Sequence, residues 1–425
     1  MTTSTVIRPL APSEQIFAGT EVYVGYGVLV SGRLDLAALS AAYEAVVCAY
    51  PVLGARLEPT EDGGYVLVSS AGVTPEISVV DGDPERLLVD PKFDQSVALS
   101  AVCVVRDGDT ASVTLMTHHS VADAYHSLAV LAELWSCYTD AVAGRPLERA
   151  VRPYPRSVED LLAERGIEKM VDPNVAEPPG AAADESAVPE SIMSDSTVPE
   201  SGHDDLEFAS LRTARCHLSV AETTALVELG HREGVTINGL VSAAVLLSEA
   251  EVLQLPLTDI LFTYPVDLRS RITPTVGLTD GTNVLGFANY IPQETTGLLD
   301  LARGICESLR TSLAAGIVQQ TPLHIPDMAA SEFRLVPGMV IVTNWGRVPD
   351  LRAPEGLRLT DFRSTLTAKP DRITMRRAEA PGGGACIVST FGGRLSIEIH
   401  HLESNIAQQQ RRIDGISAKL RAAIS

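Results

Sequence analysis

The chain has 425 residues, of which 45% are hydrophobic and 20% charged. That is enough apolar sequence to build two or three packed domains and too much for a disordered or collagen-like chain. Lys+Arg 33 against Asp+Glu 54 leaves a net charge of −21, which repels phosphate backbones and anionic headgroups, so the reading carries no nucleic acid and no membrane surface as partners.

The first residues, Met1-Thr-Thr-Ser-Thr-Val-Ile-Arg-Pro, lack the charged-then-apolar run of a secretory signal, and no stretch nears the ~18 apolar residues of a transmembrane segment. A cytoplasmic protein is expected. Six cysteines (Cys48, Cys103, Cys137, Cys216, Cys306, Cys386) lie apart in apolar runs without a Cys-x-x-Cys pair, which predicts buried free thiols. In chain order, Leu34–Ala49 has helical spacing and stops before Pro51. Strand-like runs at Ala101–Arg106 and Ala111–Thr117 are joined by Asp107-Gly-Asp, a hairpin signal. After His118-His119 the period changes to 3.6, with Val121, Tyr125, Leu128, Leu131, Leu134 and Tyr138 on one stripe.

From Val171 to Leu211 there is no Lys or Arg but ten acids, with a near-repeat of Val-Pro-Glu-Ser. Such a segment buries too little apolar surface to offset its ordering entropy, so it reads as a flexible linker. Beyond it come helices at Ala221–His231 and Ile237–Leu255, strands at Ile260–Tyr264 and Gly338–Thr343, a hairpin of Ala385–Phe391 with Arg394–His400, and a last helix at Ile406–Ile424. The expected division is 1–170, linker 171–211, and 212–425, with a ligand cleft where the two α+β halves meet.

The densest polar cluster is His118-His119-Ser-Val-Ala-Asp123-Ala124-Tyr-His126, at the handover from a buried strand to a helix. Imidazole exchanges protons near neutral pH, which makes His119 a candidate general base. Asp123 could orient that ring or brace the loop by pairing with a distant cation. Two further readings stay open: buried histidines satisfied by backbone carbonyls, and a metal set of His119, Asp123 and His126 at i, i+4 and i+7. The usual catalytic zinc helix has Glu beside its first ligand, where this chain has Ser120.

His118-His119-Ser-Val-Ala-Asp123 resembles the His-His-x-x-x-Asp-Gly signature of the superfamily of nonribosomal peptide condensation domains, chloramphenicol acetyltransferase-like enzymes and polyketide-associated acyltransferases. Tyr50-Pro-Val-Leu-Gly-Ala-Arg-Leu57, Tyr264-Pro-Val-Asp-Leu-Arg269 and Asn283-Val-Leu-Gly-Phe-Ala-Asn-Tyr290 resemble its first-helix exit, its Arg-bearing strand end and its Gly-Phe-x-Asn segment. With Thr5-Val-Ile-Arg-Pro-Leu10 and Tyr138-Thr-Asp-Ala-Val142, the whole is similar to the mycobacterial phthiocerol dimycocerosyl transferases, outside the acidic stretch.

The resemblance implies an α+β fold of two chloramphenicol acetyltransferase-like domains, mixed sheets flanked by helices, forming a V around a tunnel with His119 at its middle. It makes His119 the base, pairs Asp123 with Arg269, gives His118 a packing or hydrogen-bonding role, and sets Ala124, Gly286, Asn289, Asn344 and Trp345 along the tunnel. The implied reaction is O-acyl transfer from a thioester to a hydroxyl of a polyketide or lipid, with no metal or redox cofactor. Acyl-CoA is favoured as donor over an acyl carrier protein, because acidic carriers need a basic docking face. Ala124 departs from the signature's final Gly and adds one methyl group. A metal-dependent hydrolase and a catalytically idle binding module are the alternatives. Gly382–Gly384 reads as a turn, His400-His401 as a strand end, and Arg372, Arg376 and Arg377 as a solvated basic patch.

Overall fold

A computed structural model describes residues 5–69, 77–170, 211–294, 296–330, 338–369, 385–402 and 406–425. The chain opens with a short strand, β1 (Val6–Pro9), and a short helix, α1 (Pro12–Ala18), whose first-position proline forfeits no helical hydrogen bond. An almost wholly buried run forms β2 (Tyr23–Ser31). Asp35 accepts from the Ala38 amide at 3.0 Å and starts α2 (Leu36–Ala49), which stops before Pro51. Next come β3 (Arg56–Pro59), β4 (Tyr65–Val68) and β5 (Ile77–Asp81), then the hairpin of β6 (Ser100–Asp107) and β7 (Thr110–His118), turning at Gly108 with φ +55°. Helices α3 (Ala124–Val142) and α4 (Val158–Glu164) follow.

The second half contributes β8 (Leu211–His217), α5 (Val220–Glu233), α6 (Ile237–Leu253), β9 (Leu261–Asp267), β10 (Leu285–Tyr290), α7 (Leu298–Ala314), α8 (Ile317–Gln320) and α9 (Ile325–Ala330). It continues with β11 (Met339–Arg347), β12 (Arg358–Thr367), β13 (Ala385–Phe391), β14 (Arg394–Leu402) and α10 (Ile406–Ile424). Among the described residues three sheets result: β1-β4-β3; a mixed five-stranded sheet β12-β2-β7-β6-β5; and a mixed six-stranded sheet β10-β9-β11-β13-β14-β8. Helices α2 and α3 bury Tyr43, Leu131 and Trp135 with Tyr26 and Val28 of the five-stranded sheet. Helices α5, α6 and α10 bury Leu226, Leu246 and Ile416 with Phe262 and Ile397 of the other. This is the expected α+β class.

Chain order and packing order part company at two places. Strand β12 leaves the second half and pairs antiparallel with β2, Phe362 opposite Val28, while Val158, Leu161 and Leu162 of α4 leave the first half and pack in the second core. The boundary expected at 170/212 therefore divides the chain but not the cores. Ser364 on β12 also donates from its Oγ to Glu398 of β14 at 2.6 Å, so one strand joins both sheets. The stretch 171–211 lies outside the described residues except Leu211, as do Arg372, Arg376, Arg377 and Gly382–Gly384. His400 and His401 end β14, both buried. Of the cysteines expected to be buried, Cys103, Cys137 and Cys386 are, Cys216 and Cys306 are half-buried, and Cys48 is exposed on α2. Among the described residues no single helix is long and apolar enough to cross a membrane.

Trp345 shows how far the exchange reaches. Expected along a tunnel, it is instead only 4% exposed in the first core, its ring centroid 4.7 Å from Tyr26 and 6.3 Å from Phe362. Removing a buried indole costs the lost transfer energy plus a cavity, so Trp345→Ala is expected to destabilise the protein by about 3–5 kcal/mol, read from the urea midpoint. An unchanged midpoint would refute this packing role.

Candidate active site

Strand β7 follows β2 as far as the pair His118–Tyr23. There its amides diverge: His118 N–H donates to Leu99 O and His119 N–H to Val22 O, each at 2.8 Å. The Val121 amide turns back to His118 O at 3.1 Å, and Asp123 caps α3 by accepting from the His126 amide at 3.0 Å. Residues 119–123 are thus a loop held at both ends.

Asp123 is the hub. Its Oδ2 accepts from Arg269 Nη1 at 2.8 Å and from the Val284 amide at 3.1 Å, and its Oδ1 accepts from Arg269 Nη2 at 2.9 Å. The side chains are 1% and 4% exposed, so the pair is a buried, bidentate link across 146 residues of sequence. Arg269 also donates to Asp267 Oδ1 at 2.9 Å and to Leu278 O at 3.1 Å, and its guanidinium lies 5.8 Å from the Tyr125 ring centroid. Asn283 donates from Nδ2 to His119 O at 2.7 Å. Two residues after β9, Arg269, together with the segment 282–284, therefore brings the second half onto the histidine loop of the first.

The three histidines differ sharply. His118 accepts from the Ser120 amide at its Nδ1, 3.2 Å away, and meets the Tyr23 ring edge-on at 4.9 Å. Burial, aided by neighbouring His119, pulls its pKa down to about 3. His126 bonds through Nδ1 to Gly281 O at 3.1 Å, and burial lowers it to about 4. Both stay neutral and packed. His119 is half-buried, with its ring stacked on Phe17 at 4.0 Å and 11°. Burial pulls its pKa below the ordinary 6.5, against the opposing pull of its own carbonyl, the Asp123 charge and Asn283. A neutral imidazole at pH 7 is the base form.

The metal set expected on one helical face does not form. Helix α3 begins only at Ala124, so His119 belongs to the loop and Asp123 to the cap; the spacing of i, i+4 and i+7 has no common face to act on. The Asp123 oxygens are spent on Arg269 and two amides, and Nδ1 of His126 on a carbonyl. Among the described residues no three His, Cys, Asp or Glu side chains converge as ligands.

Of the residues assigned to a tunnel, Ala124 is the first residue of α3, packed against the first core. Gly286 lies where a Cβ would sit 2.3 Å from Val318 O, so close backbone approach explains the glycine. Asn289 is exposed and accepts from Thr263 Oγ1 at 2.9 Å, and Asn344 bonds to Asn238 Oδ1 at 3.1 Å. None of the hydrogen bonds of these four reaches His119. The residues that do adjoin it, Phe17 and Asn283, carry no sequence signal tying them to a histidine more than 100 positions from one and 164 from the other.

Two helix-flanked sheets, with a histidine loop of one braced by an arginine from the other, define an acyltransferase of the condensation-domain fold. The solved structure of polyketide synthase associated protein 5 from Mycobacterium tuberculosis is similar at 29% identity and TM-score 0.79, covering 100% of this chain and 99% of that one. The fold alone is shared with the first condensation domain of the calcium-dependent antibiotic synthetase (14%, TM-score 0.63, 99% and 98% covered) and with trichothecene 15-O-acetyltransferase from Fusarium sporotrichioides (10%, 0.64, 99% and 96%). Residues 208–400 match the family model described as phthiocerol/phthiodiolone dimycocerosyl transferase C-terminus. Proteins named phthiocerol/phthiodiolone dimycocerosyl transferase are 33% identical in Mycobacterium sp. (strain JLS), over 99% of this chain and 98% of that protein, and in Mycobacterium tuberculosis, over 98% and 96%. The chain belongs to the phthiocerol/phthiodiolone dimycocerosyl transferase family and is an acyltransferase.

Proposed function

We propose that this enzyme moves an acyl group from a thioester to a hydroxyl of a polyketide-type or lipid alcohol in the cytoplasm, with His119 as general base. The observation that carries the reading is a half-buried His119 whose pKa is pulled down by burial while its Nδ1 is enclosed without a partner among the described residues, leaving Nε2 to meet substrate. Nε2 takes the hydroxyl proton as the oxygen attacks the thioester carbonyl; the C–S bond then breaks and the leaving thiolate takes that proton from the imidazolium. Ester and free thiol result, His119 is regenerated, and no step draws on a metal or redox cofactor. Asp123 stays outside the proton path, because Arg269 and the cap hold it.

Acyl-CoA is the donor favoured by the net charge of −21, since an acidic carrier protein would be repelled. The named relatives support a lipid alcohol as acceptor. The test is thiol release by the full chain from a panel of acyl-CoAs and from an acyl-loaded carrier protein, each with and without a long-chain diol. Release that requires the diol and ignores chelator is expected. Release without alcohol would make the protein a hydrolase, release stopped by chelator would restore a metal mechanism, and silence with both donors would make it an idle binding module.

A further inference from the structure

A histidine base needs its ring held, and among the described residues no carboxylate holds that of His119. Its N–H and C=O are fixed by Val22 and Asn283, bonds that grip the backbone, while its own carbonyl and the Asn283 side chain also act on the ring. The imidazole turns about χ2, a torsion with a broad energy profile. Nδ1 has no hydrogen-bond partner among the described residues, and both oxygens of Asp123, the acid whose charge bears on the ring, are engaged by Arg269, Val284 and the helix cap. What lies flat on the ring is Phe17, centroid to centroid 4.0 Å with 11° between planes.

Phe17 is itself held. Three residues before it, the buried Glu14 carboxylate accepts two bonds from Arg8 at 2.7 Å, one from the Ala11 amide at 2.8 Å and one from Thr282 Oγ1 at 2.7 Å. The Glu14 carbonyl accepts from Ser120 Oγ at 2.7 Å, at the residue next to His119. Phe17, His119, Ser120 and Glu14 thus close a ring of contacts in which α1 sets the distance between the phenyl and the imidazole.

We propose that Phe17 is a positioning residue that fixes the plane of the His119 imidazole by stacking and, face-on, favours the imidazolium formed when the base takes a proton. A cation within about 6 Å over an aromatic face is stabilised by the ring quadrupole. The proposal rests on the reading of His119 as base, and the two fail separately in the following experiment.

Phe17→Leu, Phe17→Tyr, His119→Ala and the double variant Phe17→Leu/His119→Ala are assayed for diol-dependent thiol release, with thermal midpoints in parallel. Phe17→Leu is expected to lower kcat about 10–10²-fold, as small misplacements of catalytic groups do, with little change in KM or midpoint. Phe17→Tyr, which keeps the flat ring, should recover most of kcat, and the double variant should be no slower than His119→Ala alone. Should the leucine variant not fold, Phe17→Met makes the same comparison. An unchanged kcat, a loss confined to KM, tyrosine no better than leucine, or additive losses in the double variant would each overturn the proposal. A His119→Ala enzyme with full activity would instead overturn the base.

Discussion

Replacing His119 by alanine lowers diol-dependent thiol release about 10²–10⁴-fold, the usual contribution of a positioned general base. Backbone bonds from Val22 and Asn283 hold position 119 whatever its side chain, and the imidazole is only half-buried, so the thermal midpoint should move little. The pH profile sharpens the test. The base works unprotonated, and burial lowers its pKa below 6.5. The wild-type rate should therefore hold as pH falls through 6.5 and decline only as pH passes through that lower pKa. In His119→Ala this acid limb is absent, since no imidazole remains to protonate. A variant that keeps the wild-type rate and the same limb would place the base elsewhere.

Much of this was legible in local sequence. The helix starting after Asp35, the hairpin across Gly108, the switch of period after His119 and the final helix at Ile406–Ile424 each depend on contacts within a few turns. The histidine motif was visible for the same reason. Long-range choices were not: Arg358–Thr367 alternates like any edge strand, and nothing local says that its partner is β2, more than 300 residues earlier. Trp345, expected along the tunnel, lies just past the strand predicted at Gly338–Thr343 with no local sign of its burial, and only that crossover places it in the first core. The metal spacing misled because it presumed a helix from His119, whereas a side chain that caps, Asp123, sets the helix start at Ala124, five residues later. Phe17 was silent because stacking leaves no spacing signature.

Asp123→Asn separates a structural carboxylate from a catalytic one. If Asp123 oriented the imidazole as in a Ser-His-Asp triad, amidation would cost about 10⁴-fold in kcat with the fold intact. Here the carboxylate points to Arg269, so the loss should appear as stability. Removing one member of a buried pair strands the other in low dielectric and costs about 3–5 kcal/mol. Asp267 at 2.9 Å and Leu278 O at 3.1 Å still hold the guanidinium, which argues for the lower end. An asparagine Oδ1 can still accept the His126 amide, so the cap and the loop survive in the molecules that remain folded, and their kcat should fall much less than in His119→Ala. Arg269→Gln should destabilise comparably, leaving Asp123 bonded only to amides. The double variant Asp123→Asn/Arg269→Gln should cost less than the two single costs added, by about 1–3 kcal/mol, because groups in direct contact share one interaction. Urea midpoints of the three variants give that coupling directly. Additive costs, or a kcat for Asp123→Asn as low as that of His119→Ala, would return Asp123 to the proton path.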